Sequence, residues 1–355
     1  MKNRNIFTSS YAQMIYGVTI FLSMATSQAS LPQPGEDLWN VCAQIGTDVD
    51  ELLTCCSTTF TAIAAAANPC ALTPITGSTI ISTSGSYCLA TDVTSITINV
   101  SNVMLDLNGH NGGTVLLGQS ASVSNAIIQN GYCGSMSDSV SFPAAFVLIQ
   151  NVKAYGSTIG FSFSGSHNLL ENCSSGNNIT GFSITGVGNQ LANCSSFSST
   201  IGVGIGGFVI GGTDNQLGNC SSTNGATGFS ISGVTHQLEN CSSKGGGSGF
   251  VVSSSGAQQI TIERCIASAY TTTGFNLSTA GPSCAVIECT ANGGTMGTTG
   301  FIGSSTPTNA VFYLNRASKN VTNNYSGLGA NSAKVTVVNS ADAPAPSYGD
   351  NLSAN

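Results

Sequence analysis

Apolar positions along most of this chain recur at fixed intervals and alternate with polar ones at strand period. A four-residue run returns as Ile128-Gln129-Asn130-Gly131, Ile149-Gln150-Asn151-Val152, Leu170-Glu171-Asn172-Cys173 and Leu191-Ala192-Asn193-Cys194. It continues as Leu217-Gly218-Asn219-Cys220, Leu238-Glu239-Asn240-Cys241, Ile262-Glu263-Arg264-Cys265 and Val286-Ile287-Glu288-Cys289, with steps of 21, 21, 21, 26, 21, 24 and 24 residues. A second ladder of Gly-Phe pairs carries Phe161, Phe182, Phe208, Phe229, Phe250, Phe275 and Phe301. In four units the Phe lies nine residues before the Leu: 161/170, 182/191, 208/217 and 229/238. Phe182 and Ile184 alternate with Ser183 and Thr185, which is strand period. Strands of three to five residues bent by Gly, Asn and Ser leave no room for a crossover helix. Self-similarity at this period therefore predicts an all-β parallel β-helix, each unit one coil that buries its apolar face only when a neighbour stacks on it.

The same pattern sets the domain boundaries. Roughly a dozen coils over residues 73–340, rising about 4.8 Å each, predict a rod on the order of 55 Å long. The 26-residue step holds an insertion, Phe197 to Gly204, expected to loop out at a corner without breaking the stack. Before the solenoid, Leu38, Cys42, Ile45, Val49, Leu52 and Cys56 step by threes and fours, the stripe of an amphipathic helix. Residues 30–72 are thus expected to form a helical N-terminal cap over an otherwise open sheet edge. Residues 341–355 are expected to be a flexible tail.

Lys2 and Arg4 precede an apolar run, Met14 to Ala25, and the small residues Ser27 and Ala29 follow it. That order reads as a signal peptide over residues 1–29, because a bilayer span needs about 20 apolar residues. Secretion or display at the cell surface follows. Cleavage would leave 6 basic against 15 acidic residues, a net charge near −9, which disfavours nucleic acid and anionic membranes as partners. Charged residues are only 6% of the chain, and the regular apolar ladders argue against disorder.

At Gly85-Ser86-Tyr87-Cys88-Leu89, Ile96-Thr97-Ile98 and Val103 through His110, the sequence resembles the opening coil of secreted bacterial right-handed parallel β-helix repeat proteins, of the pectate-lyase-like superfamily. The Asn-Cys and Gly-Phe repeats are similar to that family's repeat units. The resemblance implies a right-handed parallel β-helix. It leaves activity open between lyases, hydrolases, epimerases and surface proteins without chemistry, because fold does not carry function.

The chain has 13 cysteines. Cys173, Cys194, Cys220, Cys241, Cys265 and Cys289 share a slot with Gly131 and Val152, so the slot is apolar and an internal ladder of free thiols is expected. Parallel Cβ vectors at a rung spacing of about 4.8 Å are too far apart for an unstrained bridge. Cys42, Cys55, Cys56, Cys70 and Cys88, at the cap junction, are the better disulfide candidates. No spacing fits zinc, and no cofactor is expected. Asn172, Asn193, Asn219 and Asn240, in line with Asn130 and Asn151, are expected at a left-handed bend, facing inward or into it, with amides bonding their copies above and below. On that ground their Asn-x-Ser sequences are not expected to carry glycan. His236 replaces Asn168, Asn189 and Asn215 in another column and reads as a variant of it.

Catalytic candidates are few. Across residues 100–330 the acids are Asp106, Asp138, Glu171, Asp214, Glu239, Glu263 and Glu288, with no Asp-Asp pair. Glu239 and Glu263 are expected side by side on neighbouring rungs beside Arg264, an arrangement capable of acid–base work but also an ordinary surface cluster. Asp106 with His110 is the other weak candidate. The expectation is a non-catalytic solenoid that binds glycan or a cell-surface partner along a Ser/Thr/Asn-rich face. The alternative is a polysaccharide-acting lyase, hydrolase or epimerase.

Overall fold

The computed structural model describes residues 72–198, 206–253, 256–293, 299–303, 311–326 and 338–339. The expected signal peptide, nearly all of the helical cap, the tail, and Cys42, Cys55, Cys56 and Cys70 lie outside these residues. The described chain is an all-β parallel solenoid of about 11 turns, whose 32 strands form a 20-stranded and a 12-stranded sheet.

Each regular turn lays down three short strands. One carries the Gly-Phe pair, as in Thr180–Ile184, and these strands stack into the 12-stranded sheet, here called the Phe sheet. The second carries the Leu, as in Gln190–Ala192, and the third carries the Ser-Ser that follows Cys, as in Ser195–Phe197. These two stack as a Leu strip and a Ser strip within the 20-stranded sheet. In the early turns they run on as single long strands, Ile127–Cys133 and Leu148–Tyr155. The 26-residue step leaves the stack intact, since Phe182 pairs with Phe208 and Phe197 with Thr223 on its two sides.

The Phe ladder is the core's spine. Phe161, Phe182, Phe208, Phe229, Phe250, Phe275 and Phe301 are fully buried, and neighbouring rings stack 4.6–4.9 Å apart and within 7° of parallel. Rung pairing imposes this geometry, since the ring spacing matches the rise between strands. The glycine before each Phe has a steric cause. A Cβ on Gly181 would stand 2.2 Å from Ser196 Oγ, and one on Gly207 2.1 Å from Ser222 Oγ. The second Ser of each Cys-Ser-Ser therefore points inward, where Ser175, Ser196, Ser222 and Ser243 are buried opposite the glycines.

Left-handed residues turn the corners. Between the Leu and Ser strips, Asn130, Asn151, Asn172, Asn193, Asn219 and Asn240 have φ of 53° to 60°, followed by Arg264, Glu288 and Leu314 at 51° to 53°. The bend is thus where it was expected, but the Asn side chains are exposed on the outside of it and do not face inward. Asn151 Nδ2 reaches Asn130 Oδ1 at 3.5 Å. This exposure removes the steric ground for excluding glycan addition at these positions.

The buried amide ladder occupies the other column. Asn168, Asn189 and Asn215 are buried at the corner between the Phe sheet and the Leu strip. Asn168 Oδ1 accepts the Val147 amide, Asn189 Oδ1 that of Asn168, and Asn215 Oδ1 that of Asn189, at 2.8–3.0 Å. Their amide nitrogens donate to Ala144, Gly165 and Gly186 carbonyls. Left-handed corners turn backbone groups out of the strand ladder, and a side chain from the next rung satisfies them. His236 ends the series, its Nδ1 accepting the Asn215 amide at 3.2 Å and its Nε2 donating to Ser232 O at 2.7 Å.

The Cys column does the equivalent work at its own corner. Cys173, Cys194, Cys220, Cys241, Cys265 and Cys289 are buried free thiols. Each Sγ contacts the carbonyl of the Leu-position residue one turn back, as Cys194 does Leu170 O at 3.4 Å and Cys241 Leu217 O at 3.6 Å. Asn315 takes the next place in the column and donates to Val286 O at 2.8 Å while accepting the Cys289 amide. The slot therefore takes a small hydrophobe that is also a weak donor, which explains Cys better than apolarity alone. Hydrogen bonds with Cys173 and Cys220, then burial, push the Cys194 thiol up; Cys265 is raised by Cys241, Cys289 and burial. Cys133, in the small inward column, is pushed up to about 12 by burial. Cys88 is disulfide-bonded, and since every other described cysteine is free, its partner lies outside the described residues.

Candidate functional site

The Glu239, Glu263 and Arg264 cluster sits on the outer face of the Leu strip and its corner. Glu239 and Glu263 are register partners on adjacent rungs. Arg264 occupies the Asn column at φ 51°, and that left-handed backbone aims its side chain along the rungs. Its guanidinium holds both acids, Nη2 on Glu239 and Nη1 on Glu263 at 2.7 Å. The side chains are a third to a half exposed, and Asn240 Nδ2 also reaches Glu239 at 3.4 Å. The Glu239 hydrogen bond foremost, with Glu263 and Glu288, raises the Arg264 pKa. Both carboxylates thus share one permanent cation on an open face, where solvent screening leaves ion pairs little weight.

Asp106 and His110 do not come together as a pair. Asp106 accepts the Asn108 amide at 2.7 Å, Gln129 Nε2 at 2.8 Å and Asn130 Nδ2 at 3.1 Å, which fixes a turn. His110 Nδ1 instead meets Asp92 at 3.2 Å, and the Asn111 amide with His110 lowers the Asp92 pKa. Asp138 is also committed, accepting the amides of Ala144, Ser164 and Gly165 and the Ser164 hydroxyl. Along the outer column of the Phe sheet, Ser162, Ser183, Val209, Ser230, Val251 and Asn276 follow one another with no ionisable group. Among the described residues no group of three His, Cys, Asp or Glu could hold a metal, and no helix is long and apolar enough to cross a membrane.

One surface feature escaped the sequence reading. On the outer face of the Ser strip, Tyr132, Tyr155 and Phe197 are exposed by 41%, 46% and 49%. Lys153 Nζ lies 5.6 Å from the centre of the Tyr132 ring. Tyr155 folds over Gly176 so closely that a Cβ there would stand 2.2 Å from Cε1. Phe146 and His167, at the corner beside the Leu strip, form another exposed stack at 5.1 Å. Other turns fill the columns of Tyr132, Tyr155 and Phe197 with Gly, Ser, Thr or Lys, so no periodicity announces them.

No protein-family model matches the sequence, and comparison with curated proteins finds no match. Among solved structures the chain is similar to the catalytic domain of a GH87 alpha-1,3-glucanase in complex with nigerose, with TM-score 0.51 and 12% identity over 74% of this chain and 61% of that one. A similarity to pectate lyase Pel9A has TM-score 0.44 and 15% identity, over 78% and 72% of the two chains. What is shared is the parallel β-helix. The chain spans less than two thirds of the glucanase domain.

Proposed function

We propose that the protein is a secreted or cell-surface solenoid that binds glycan along its outer faces without turning it over. One observation carries the non-catalytic part: the carboxylates that neighbour each other, Glu239 and Glu263, are both held by Arg264 on an open face. A base or nucleophile for sugar chemistry needs a free carboxylate beside a proton donor. The outer faces also present many hydroxyls and amides, which suit sugar hydroxyls. A second reading, a polysaccharide-acting enzyme, is favoured by the fold shared with the alpha-1,3-glucanase domain.

Incubating the purified protein with alpha-1,3-glucan and polygalacturonate, with and without calcium, separates the two. Reducing ends and unsaturated products are measured for wild type, Glu263→Gln and Arg264→Ala. The expected outcome is no turnover by any of them. Turnover by wild type that disappears in Glu263→Gln, with circular dichroism unchanged, establishes the enzyme instead.

A further inference from the structure

We infer that Tyr132, Lys153, Tyr155 and Phe197 form a stacking platform for a neutral pyranose glycan lying along the solenoid axis; this rests on the glycan-binding reading and gives it a site. Tyr155, Gly176 and Phe197 are register partners on three successive rungs, and the Tyr155 ring, lying over Gly176, reaches the rung next to Phe197. Gly176 between them has no side chain, and Tyr155 lies down over it, presenting its ring outward. Any side chain at 176 would evict that ring. Tyr132 pairs with Lys153 one column away on the same outer face, and the ammonium rests over the ring.

The composition of the patch selects its occupant. Sugar rings present apolar CH faces to aromatic rings and hydroxyls to polar neighbours, the mixture of aromatic walls and few polar groups that small-molecule sites use. Ser174 and Ser195, paired beside the column, supply hydroxyls, and Lys153, in no ion pair among the described residues, supplies ammonium donors. A protein partner of ordinary affinity needs about 800 Å² on each side, and three rings set in a serine strip are too narrow for that. A chain of net charge −7 disfavours polyanions, so the ligand class is a neutral hexose polymer. Beyond Phe197 the column continues as Thr223, Lys244 and Ser268, so the aromatic stretch is confined to these rungs.

The test measures binding of wild type, Tyr155→Ala, Phe197→Ser and Gly176→Val to soluble oligosaccharides of alpha-1,3-glucan, cellulose and polygalacturonate by calorimetry. Thermal unfolding is followed in parallel. The expected result is binding of a neutral glucan that weakens at least tenfold in each variant and is unchanged in Glu263→Gln. Should Tyr155→Ala fail to fold, Phe197→Ser, which removes an exposed ring, carries the comparison. Wild-type binding that all the variants retain overturns the platform and leaves the glycan-binding reading standing. Tighter, salt-sensitive binding of polygalacturonate overturns the neutral assignment. Binding of none of the three overturns both the platform and the reading it rests on.

Discussion

His236 ties the solenoid's stability to pH, and the sign follows from its hydrogen bonds. A backbone amide can only donate, so Nδ1, 3.2 Å from the Asn215 nitrogen, must be the acceptor and the proton sits on Nε2, 2.7 Å from Ser232 O. Protonation would set an Nδ1–H against the Asn215 N–H. Burial lowers the pKa of this imidazole, against an opposing contribution from the Ser232 carbonyl and the charge of Asp214. A histidine depressed in the folded state contributes nothing to the pH dependence above the unfolded pKa, about 6.5, where both states are neutral. Below it the unfolded chain takes up a proton that the folded chain refuses. Each further pH unit then removes about 1.4 kcal/mol until the folded pKa is reached. The internal control is His236→Asn, which restores the amide that Asn168, Asn189 and Asn215 supply in preceding turns. Urea unfolding of both proteins, followed by circular dichroism between about pH 7.5 and 5, reads the difference. Wild type should lose stability relative to the variant as pH falls through the lower half of that range. Parallel pH profiles would refute a neutral, buried imidazole at this position.

Other consequences are equally direct. Phe182→Ala removes a ring stacked at 4.8 Å and 4.7 Å on its two sides and should cost about 4 kcal/mol in urea unfolding, whereas Ser183→Asp on the outer face should stay within about 0.5 kcal/mol. Equal effects would show the register to be wrong. The six column thiols should resist iodoacetamide in the folded protein and react after denaturation without reductant; mass spectrometry showing Cys194 bridged to Cys173 or Cys220 would contradict this. Arg264→Asn places at this left-handed corner the residue that the preceding rungs use there, and loses only exposed ion pairs. Its unfolding midpoint should therefore hold or rise, and a clear fall would make the cluster a stabilising element.

The strand register was legible because repetition multiplies a weak signal. One Gly-Phe pair says little, but seven in register force a ladder, and the ladder places every Leu and Cys by counting. What counting did not deliver was which side of a corner a side chain leaves from. Asn172 and Asn168 are both Asn beside a bend, four residues apart in the same repeat, yet one is exposed and the other buried in the corner. The difference lies in which backbone groups the left-handed residue turns away from the strand ladder, and that is a property of the closed coil, invisible in the letters. Counting likewise did not show the second demand on the thiol column: Val152 in the slot spoke for an apolar site, while Asn315 at its other end shows that the corner also uses a donor.

The cluster of Glu239, Glu263 and Arg264 was found because it lies within repeat columns, and its proximity to a catalytic pattern is a by-product of the rung spacing that brings any two outward acids together. The aromatic face went unnoticed for the opposite reason. Tyr155 and Phe197 break the pattern of their column, and a reading tuned to periodicity treats a departure as noise. In a solenoid the repeated positions are occupied by packing and by the satisfaction of corner backbone groups. A residue that serves an external partner has to stand where the repeat leaves the choice open, on an outward column that tolerates Gly, Thr, Lys or Ser. An exposed ring held over a glycine in such a column gains little for the fold. Its placement is therefore a better pointer to a ligand than the charged cluster, whose members are already satisfied by one another.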